Sequence, residues 1–309
     1  MEQSEAQHQA SGIPRLHHPT RVSRMRFLRK AIRLGLHIIG GLGLAVVYPL
    51  FGATAQHAIL RWWSKAVLAI LGVRLDAQGA RPGMLEGGVL LVANHVSWLD
   101  VFAVNAVRPS CFVAKSEVRD WPAIGTLCKR AQTIFISRAR RGDAAEASRR
   151  MAARIASGEC VAVFPEGTST DGTDVRPFHS PLFQSAIEAA RPVIPVAIHY
   201  RDGAGHPARE AAFIGEMTFV QSLVNILSCE SLHVSLLFLR PIDCTGKNRR
   251  GVAAEAHAAV SPAVRELNRG GWPWLRVSRG ASCAARHAAA GSRPGVAPVT
   301  KPAALKTEE

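Results

Sequence analysis

The stretch GVLLVANHVSWLD, residues 88–100, contains an apolar run, a polar turn and the first residues of a segment with a helical pattern. A short apolar run that follows a pair of glycines is typical of a strand buried on both faces. The residues from about 98 onward are compatible with a helix. A buried strand that leads directly into a helix predicts a unit of an α/β domain.

Comparable apolar runs recur along the chain, at residues 111–114, 133–136, 160–164, 193–199 and 234–239. Helix-compatible stretches lie between or after them, at residues 98–107, 121–129, 143–156, 181–190 and 252–267. This alternation predicts an α/β fold with a largely parallel central sheet flanked by helices. Pro262 lies inside the last stretch, where a proline can break or kink a helix.

A basic cluster and an apolar stretch precede this domain. The cluster consists of Arg15, Arg21, Arg24, Arg26, Arg29, Lys30 and Arg33, and residues 34–53 then carry no charge. About twenty apolar residues can span a bilayer, or lie in it as a hairpin bent at Pro49. A cleaved signal is disfavoured because the basic lead-in is more than thirty residues long. We expect an uncleaved membrane segment, and the alternative is a buried helix.

Four segments are therefore expected: a disordered basic arm (1–25), a membrane-associated helical segment (26–72), an α/β domain (73–270) and a disordered tail (275–309). The net charge of +15 implies an anionic partner. Its placement before an apolar stretch favours an anionic membrane surface. Nucleic acid is disfavoured, since aromatic residues make up only 6% and form no stacking platform. The six cysteines have no metal-like spacing, so no metal site is predicted.

His95 follows the first strand and is a candidate general base, because an imidazole titrates near neutrality. The carboxylate of Asp100 could orient it and stabilise its charged form. On one continuous helix, side chains five residues apart point about 140° apart. The two meet only if His95 lies in the loop and Asp100 in the first turn of the next helix. Ser97 and Asp100 also fit a capping pattern, in which Asp100 only satisfies backbone donors.

Three more strand ends carry features that suit a ligand. Residues 163–170 form a loop with Glu166, Gly167 and Thr168, whose backbone N–H groups suit a phosphate or an oxyanion. Arg138 follows the run 133–136 as a cation fit for a phosphate. Residues 193–196 form an apolar strand whose proline suits an edge or a strand end. Taken singly, these features also fit a turn, a surface charge and plain core.

Together these blocks resemble the glycerolipid acyltransferase family, the lysophosphatidic acid acyltransferases and their relatives, over roughly residues 60–240. The family's blocks are Asn-His-x-x-x-x-Asp, aromatic-Ile-x-Arg, Phe-Pro-Glu-Gly-Thr and Ile-Pro-Val, matched here at Asn94, His95 and Asp100, at Phe135, Ile136 and Arg138, at residues 164–168 and at residues 194–196. The chain departs from the pattern at Gln132, where Gly is usual, and at Ser169, where Arg is usual. Arg176 is the candidate replacement for the missing cation.

The resemblance implies that His95 deprotonates an acceptor hydroxyl as it attacks an acyl thioester, and that Asp100 orients His95. It also implies a loop at Gly167 that steadies the tetrahedral intermediate, and substrate-binding roles for Asn94, Arg138, Glu166, Thr168 and Arg176. No metal or cofactor is implied. The donor is acyl-CoA or acyl-carrier protein, and the expected location is the bacterial inner membrane with the active site facing the cytoplasm.

The first expectation for the acceptor is 1-acylglycerol 3-phosphate, which would give phosphatidic acid in phospholipid biosynthesis. The alternative is lyso-ornithine lipid, because the stretch 168–178 resembles the bacterial branch that acylates it. Its headgroup has no phosphate and carries an amine that Asp171 or Asp174 could meet. A lipase-like hydrolase is disfavoured by the lack of a Gly-x-Ser-x-Gly elbow. A non-enzymatic basic membrane-binding module is a remote alternative.

Overall fold

The computed structural model describes residues 22–80, 83–137 and 142–270, and the statements below concern these residues. They form a seven-stranded sheet in the order β1-β7-β6-β2-β5-β3-β4. The strands are β1 Val73–Gln78, β2 Val89–Ala93, β3 Cys111–Lys115, β4 Ile134–Ile136, β5 Cys160–Val163, β6 Val193–Asp202 and β7 Leu232–Phe238. Strands β2 to β6 pair in parallel, β7 pairs antiparallel with β6, and β1 is parallel to β7. The predicted largely parallel α/β sheet is confirmed.

Helices cover both faces of the sheet. They are α1 Arg24–Val47, α2 Ala53–Leu71, α3 Leu99–Val107, α4 Ile124–Arg130, α5 Asp143–Ala156, α6 Gln184–Glu188, α7 Phe219–Ser228 and α8 Arg249–Asn268. Strand β2 is buried at all five positions. Leu91 packs in one hydrophobic cluster and Leu90 in the other, because successive side chains point to opposite faces. The apolar run at residues 88–93 is therefore the centre of the fold.

Helices α1 and α2 form an antiparallel pair joined through a short 3₁₀ turn at Tyr48–Leu50. The His37 ring of α1 stacks on Trp63 of α2 with ring centroids 3.7 Å apart. Gly41 allows this approach, since a Cβ there would collide with the Trp63 ring. The segment Arg24–Leu50 is long and apolar enough to cross a membrane, by length and composition. One side of α1 is exposed and apolar, with Met25, Leu28, Ile32, Leu36, Ile39 and Val46.

Several boundaries differ from the sequence expectations. Helix α1 begins at Arg24, so the last two residues of the predicted basic arm are helical. The expected helix at 181–190 is a 3₁₀ turn, Ser180–Phe183, followed by the short α6. Helix α8 continues through Pro262 without a break. Residues 1–21 of the predicted arm and the predicted tail at 275–309 lie outside the described residues.

Candidate active site

The loop after β2 brings the predicted base and its acid together. His95 lies between Ala93, the last residue of β2, and Leu99, the first residue of α3. Its Nδ1 is 2.8 Å from Oδ2 of Asp100, which lies in the first turn of α3. The Asp100 side chain is fully buried, whereas the imidazole is 22% exposed. This is the loop-and-helix arrangement that contact between the two side chains requires.

Asp100 also satisfies the backbone of the turn. Its Oδ2 accepts the N–H groups of Val96 at 2.8 Å and Ser97 at 3.0 Å. Its Oδ1 accepts the hydroxyl of Tyr200 at 2.7 Å. The Asp100 carboxylate therefore both accepts the backbone N–H groups of the turn and contacts His95. The Ser97 hydroxyl accepts from Leu99 N–H at 3.3 Å, so only the acidic half of a capping box is formed.

The backbone around His95 is held on three further sides. The His95 N–H donates to Glu166 Oε1 at 2.7 Å, and the His95 carbonyl accepts from Thr170 N–H at 2.8 Å. The Val96 carbonyl accepts from Phe213 N–H at 2.9 Å. Satisfied buried backbone groups resist displacement. The loop therefore holds the imidazole in a defined place.

An aromatic ring fixes the orientation of the imidazole. Phe164, which follows β5, stacks on His95 with centroids 4.2 Å apart and planes 8° apart. The Phe164 ring lies in turn against Phe112 at the start of β3, with centroids 5.7 Å apart. A flat contact on one face, together with the Asp100 contact at Nδ1, leaves the ring little freedom to rotate.

Glu166 joins two loops at the edge of the sheet. Its Oε1 accepts the His95 N–H, and its Oε2 accepts the Arg176 N–H at 2.8 Å. Burial raises the pKa of Glu166, and the two backbone N–H groups act in the opposite direction. Both carboxylate oxygens are thus engaged by the backbone. An additional contact of Glu166 with the acceptor stays a prediction.

Asn94 belongs to the sheet rather than to the surface of the site. Its Nδ2 donates to the Ile198 carbonyl at 2.9 Å, and its Oδ1 accepts the Ile198 N–H at 2.7 Å. The side-chain amide is fully buried and extends the pairing between β2 and β6 beyond Val196. These contacts explain a structural use of Asn94, and its contact with the substrate stays a prediction.

A cleft of about 350 Å³ opens beside the Glu166 loop and is lined by Glu166, Gly167, Thr168, Arg176, Pro177 and His179. Gly167 has a φ of +72°, and its N–H donates to the Phe164 carbonyl at 3.2 Å. This N–H is therefore engaged within the turn, whereas the family resemblance implies that this loop contacts an oxyanion. Thr168 and Arg176 are exposed at the cleft. The predicted cation Arg138 lies outside the described residues.

Ser169, which stands where the family usually has Arg, is not among the residues that line this cleft. The Ser169 hydroxyl donates to the Phe213 carbonyl, in the loop before α7. Asp171 is exposed, and hydrogen bonds from Thr173 lower its pKa. Asp174 is paired with Arg265 at 3.3 Å. Of the two candidate partners for an amine, Asp171 is the one without an ion pair among the described residues.

Tyr200 belongs to the site although no sequence motif indicates it. It lies at the end of an eight-residue buried run of β6, and its hydroxyl reaches Asp100 in the helix that follows the neighbouring strand β2. The hydroxyl of a buried tyrosine usually has a hydrogen-bond partner, so a tyrosine at the end of a buried strand indicates a polar partner nearby. The identity of its partner depends on the placement of β6 beside β2, which no local pattern contains.

Comparisons with known proteins agree on one family. A family model described as Acyltransferase matches residues 74–199. The lyso-ornithine lipid O-acyltransferase of Pseudomonas aeruginosa is 37% identical over 250 residues, which cover 79% of this chain and 95% of that protein. The 1-acyl-sn-glycerol-3-phosphate acyltransferase of Neisseria gonorrhoeae is 36% identical over 186 residues, 60% of this chain and 72% of that protein.

A solved structure has the same fold. The crystal structure of the 1-acyl-sn-glycerophosphate acyltransferase from Thermotoga maritima matches with a TM-score of 0.61 over 80% of this chain and 96% of that one. At 20% sequence identity this likeness concerns the fold alone. The sequence relatives carry the assignment further: the chain belongs to the glycerolipid acyltransferase family and is an O-acyltransferase.

Proposed function

We propose that this enzyme transfers a fatty acyl group from a thioester to a lysolipid hydroxyl, with His95 as general base and Asp100 as its partner. The observation that carries the proposal is the 2.8 Å contact between His95 Nδ1 and the buried Asp100 carboxylate. A carboxylate at Nδ1 favours the tautomer with the proton on that nitrogen. Nε2 is then the nitrogen that accepts a proton from the acceptor.

The reaction follows from these positions. The acceptor oxygen attacks the thioester carbonyl carbon while its proton passes to His95 Nε2. The tetrahedral intermediate collapses, the C–S bond breaks, and the imidazolium protonates the leaving thiolate. The products are an ester and a free thiol, so no redox partner or covalent acyl-enzyme is required. We assign the donor to acyl-CoA or acyl-carrier protein, whose anionic character suits the basic chain.

Backbone and side-chain groups beside His95 would stabilise the intermediate. Because the Gly167 N–H already donates to Phe164, we assign the oxyanion contact to Thr168, the next residue of the same loop. Thr168 lines the cleft and is exposed. An N–H aimed at the developing negative charge strengthens as the reaction proceeds. Arg176, which lines the same cleft, would bind an anionic part of the substrate.

We favour lyso-ornithine lipid as the acceptor. The relative named for that activity in Pseudomonas aeruginosa aligns over 95% of its length, against 72% for the Neisseria relative. Ser169 stands where a phosphate-binding Arg is usual, and its hydroxyl is engaged with the Phe213 carbonyl. The exposed carboxylate of Asp171 could pair with the amine of the headgroup.

The second candidate is 1-acylglycerol 3-phosphate, which is the first expectation from the sequence. Arg176 and His179 both line the cleft beside Glu166, and a phosphomonoester requires several such donors. The Neisseria relative carries the name of that activity. The two acceptors differ in headgroup charge. Substitutions of the exposed Asp171 and Arg176 should therefore change the use of the two acceptors differently.

A direct competition decides between them. The purified enzyme is incubated with equal amounts of both lysolipids and one acyl thioester, and the two products are measured together. We expect lyso-ornithine lipid to have the higher kcat/KM. Asp171→Asn should lower kcat/KM for lyso-ornithine lipid relative to kcat/KM for 1-acylglycerol 3-phosphate. Arg176→Gln should instead lower kcat/KM for 1-acylglycerol 3-phosphate. A kcat/KM at least tenfold higher for 1-acylglycerol 3-phosphate would reverse the assignment.

We also propose attachment to the cytoplasmic face of a bacterial inner membrane through α1 and α2. The exposed apolar side of α1 carries large side chains such as Leu36 and Ile39, which are 64% and 67% exposed. Exposed arginines at the start of α1 suit an anionic lipid surface. The protein should require detergent for extraction, and release by high salt alone would leave only electrostatic adsorption. Protease protection in oriented vesicles tests the cytoplasmic orientation.

A further inference from the structure

We infer that Tyr200 is a positioning residue of the acyl-transfer reaction, which holds Asp100 in the orientation and charge state that His95 requires. The Tyr200 hydroxyl donates to Asp100 Oδ1 at 2.7 Å. The tyrosine is 3% exposed and the aspartate 0%. The inference rests on the proposed role of the His95–Asp100 pair. It adds a third residue, a hundred positions away in the chain, to that pair.

The position of Tyr200 is set by the sheet. Residues 193–200 of β6 are buried without interruption. The strand is held on one side by Asn94, through Ile198, and on the other by the antiparallel register with β7, in which Tyr200 pairs with Val234. The Tyr200 carbonyl accepts the Ala208 N–H at 3.0 Å. The phenol therefore approaches Asp100 from a rigid strand rather than from a loop.

The two carboxylate oxygens of Asp100 have different numbers of hydrogen-bond partners. Oδ2 receives His95 and two backbone N–H groups, whereas Tyr200 is the partner of Oδ1 among the residues that the structure describes. Burial raises the pKa of Tyr200, and the negative charge of Asp100 raises it further. The phenol therefore stays protonated and remains a donor at working pH. A buried carboxylate oxygen without this donor would be poorly compensated.

Loss of the hydroxyl has a defined electrostatic direction. The positive end of the O–H dipole faces Asp100 and offsets part of the carboxylate's negative potential at His95. Without it, the carboxylate would hold a proton on the pair more strongly. The enzyme needs a neutral His95 to accept the acceptor's proton. The acidic limb of the kcat/KM profile must then move to higher pH.

The test is Tyr200→Phe, which keeps the ring and removes one oxygen. We expect kcat/KM to fall about tenfold and the acidic limb to rise by about one pH unit. We expect KM for the lysolipid to change less than twofold, because Tyr200 is buried away from the cleft. The control is Tyr48→Phe, the same atom removed from the other tyrosine of the chain. It should leave the profile unchanged.

A double variant of Tyr200 and Asp100 distinguishes a positioning role of Tyr200 from a role in packing alone. If Tyr200 acts through Asp100, adding Tyr200→Phe to an Asp100→Asn enzyme should lower kcat by less than twofold. An acidic limb that does not move in Tyr200→Phe, or a full tenfold loss in the Asp100→Asn background, would overturn the inference. His95→Ala is assayed in parallel. An active His95→Ala enzyme would refute the proposed function itself. An inactive His95→Ala enzyme, together with an unmoved acidic limb in Tyr200→Phe, would refute only the role of Tyr200.

Discussion

Asp100→Asn separates the two functions that the structure gives to this side chain. An amide can present one oxygen and one NH2 group in place of the two carboxylate oxygens. The oxygen should face Val96 and Ser97, because their N–H groups would repel an NH2 group there. His95 Nδ1 then still contacts an oxygen, and the Tyr200 hydroxyl can turn to accept from the amide. The hydrogen-bond geometry is retained while the negative charge is lost.

The loss of charge sets the size of the effect. Two opposite unit charges about 4 Å apart interact by about 4 kcal/mol at an effective dielectric constant of about 20. At about 1.4 kcal/mol for each factor of ten, this corresponds to a fall in kcat of order a thousandfold. The free energy of unfolding should fall by only about 1–2 kcal/mol, since the backbone donors keep an acceptor. Asp100→Ala should unfold far more easily, because it leaves buried donors unsatisfied.

The assay is release of free thiol from an acyl thioester in the presence of lysolipid, at saturating concentrations of both. Thermal unfolding of the same preparations reports stability. A turnover within tenfold of the unmodified enzyme, with a clearly lowered melting temperature, would refute the catalytic role. Asp100 would then serve only to cap the turn before α3.

Three further outcomes are expected. Glu166→Gln should lower both melting temperature and kcat, because an amide cannot accept both the His95 and the Arg176 N–H groups. Gly172→Ala should destabilise by about 1–2 kcal/mol and reduce activity, since φ is +77° and a Cβ would lie 3.1 Å from a methyl group of Val96. Burial lowers the pKa of His199 from 6.5 to about 4, so a pH titration of stability should show a loss of up to about 3 kcal/mol between pH 6.5 and 4 that His199→Phe removes.

Matched control variants accompany these three predictions. Glu188→Gln removes an exposed acid of α6 and should leave melting temperature and kcat unchanged. Gly205→Ala introduces the same strain at φ +94° but faces open space, so activity should be kept even if stability falls. For His199, the unfolded chain takes up a proton near pH 6.5 and the folded chain only near pH 4, so acid favours unfolding. Equal acid sensitivity in His199→Phe would contradict that explanation.

The central β–α unit could be predicted from the sequence because its signals are local. The run at residues 88–93 is apolar on both faces, and the spacing of His95 and Asp100 allows contact only across a loop-to-helix junction. The sequence does not predict strand β1, because Arg74, Asp76 and Gln78 make half of it polar. Helix α7 was also not among the expected helices, although its capping box at Thr218 is a local signal.

The roles of the polar residues depended on tertiary pairing. The strand order places β6 beside β2, and this brings Ile198 to Asn94 and Tyr200 to Asp100. Neither contact has a sequence pattern, since about a hundred residues separate the partners. Glu166 likewise has no local signal for its role, because the His95 and Arg176 N–H groups that it accepts come from two separate loops.

The most direct test is the rate of acyl transfer by purified His95→Ala with lyso-ornithine lipid and an acyl thioester. We expect no transfer above the uncatalysed rate, with a melting temperature lowered only slightly. The variant loses the stacking on Phe164 and the Asp100 contact, whereas the backbone hydrogen bonds of the loop remain. The matched control is His206→Ala, which removes an exposed histidine 3.6 Å from a carboxylate of Asp202 and should retain full activity. A His95→Ala enzyme that kept more than about a tenth of the activity would contradict the assignment of His95 as the base.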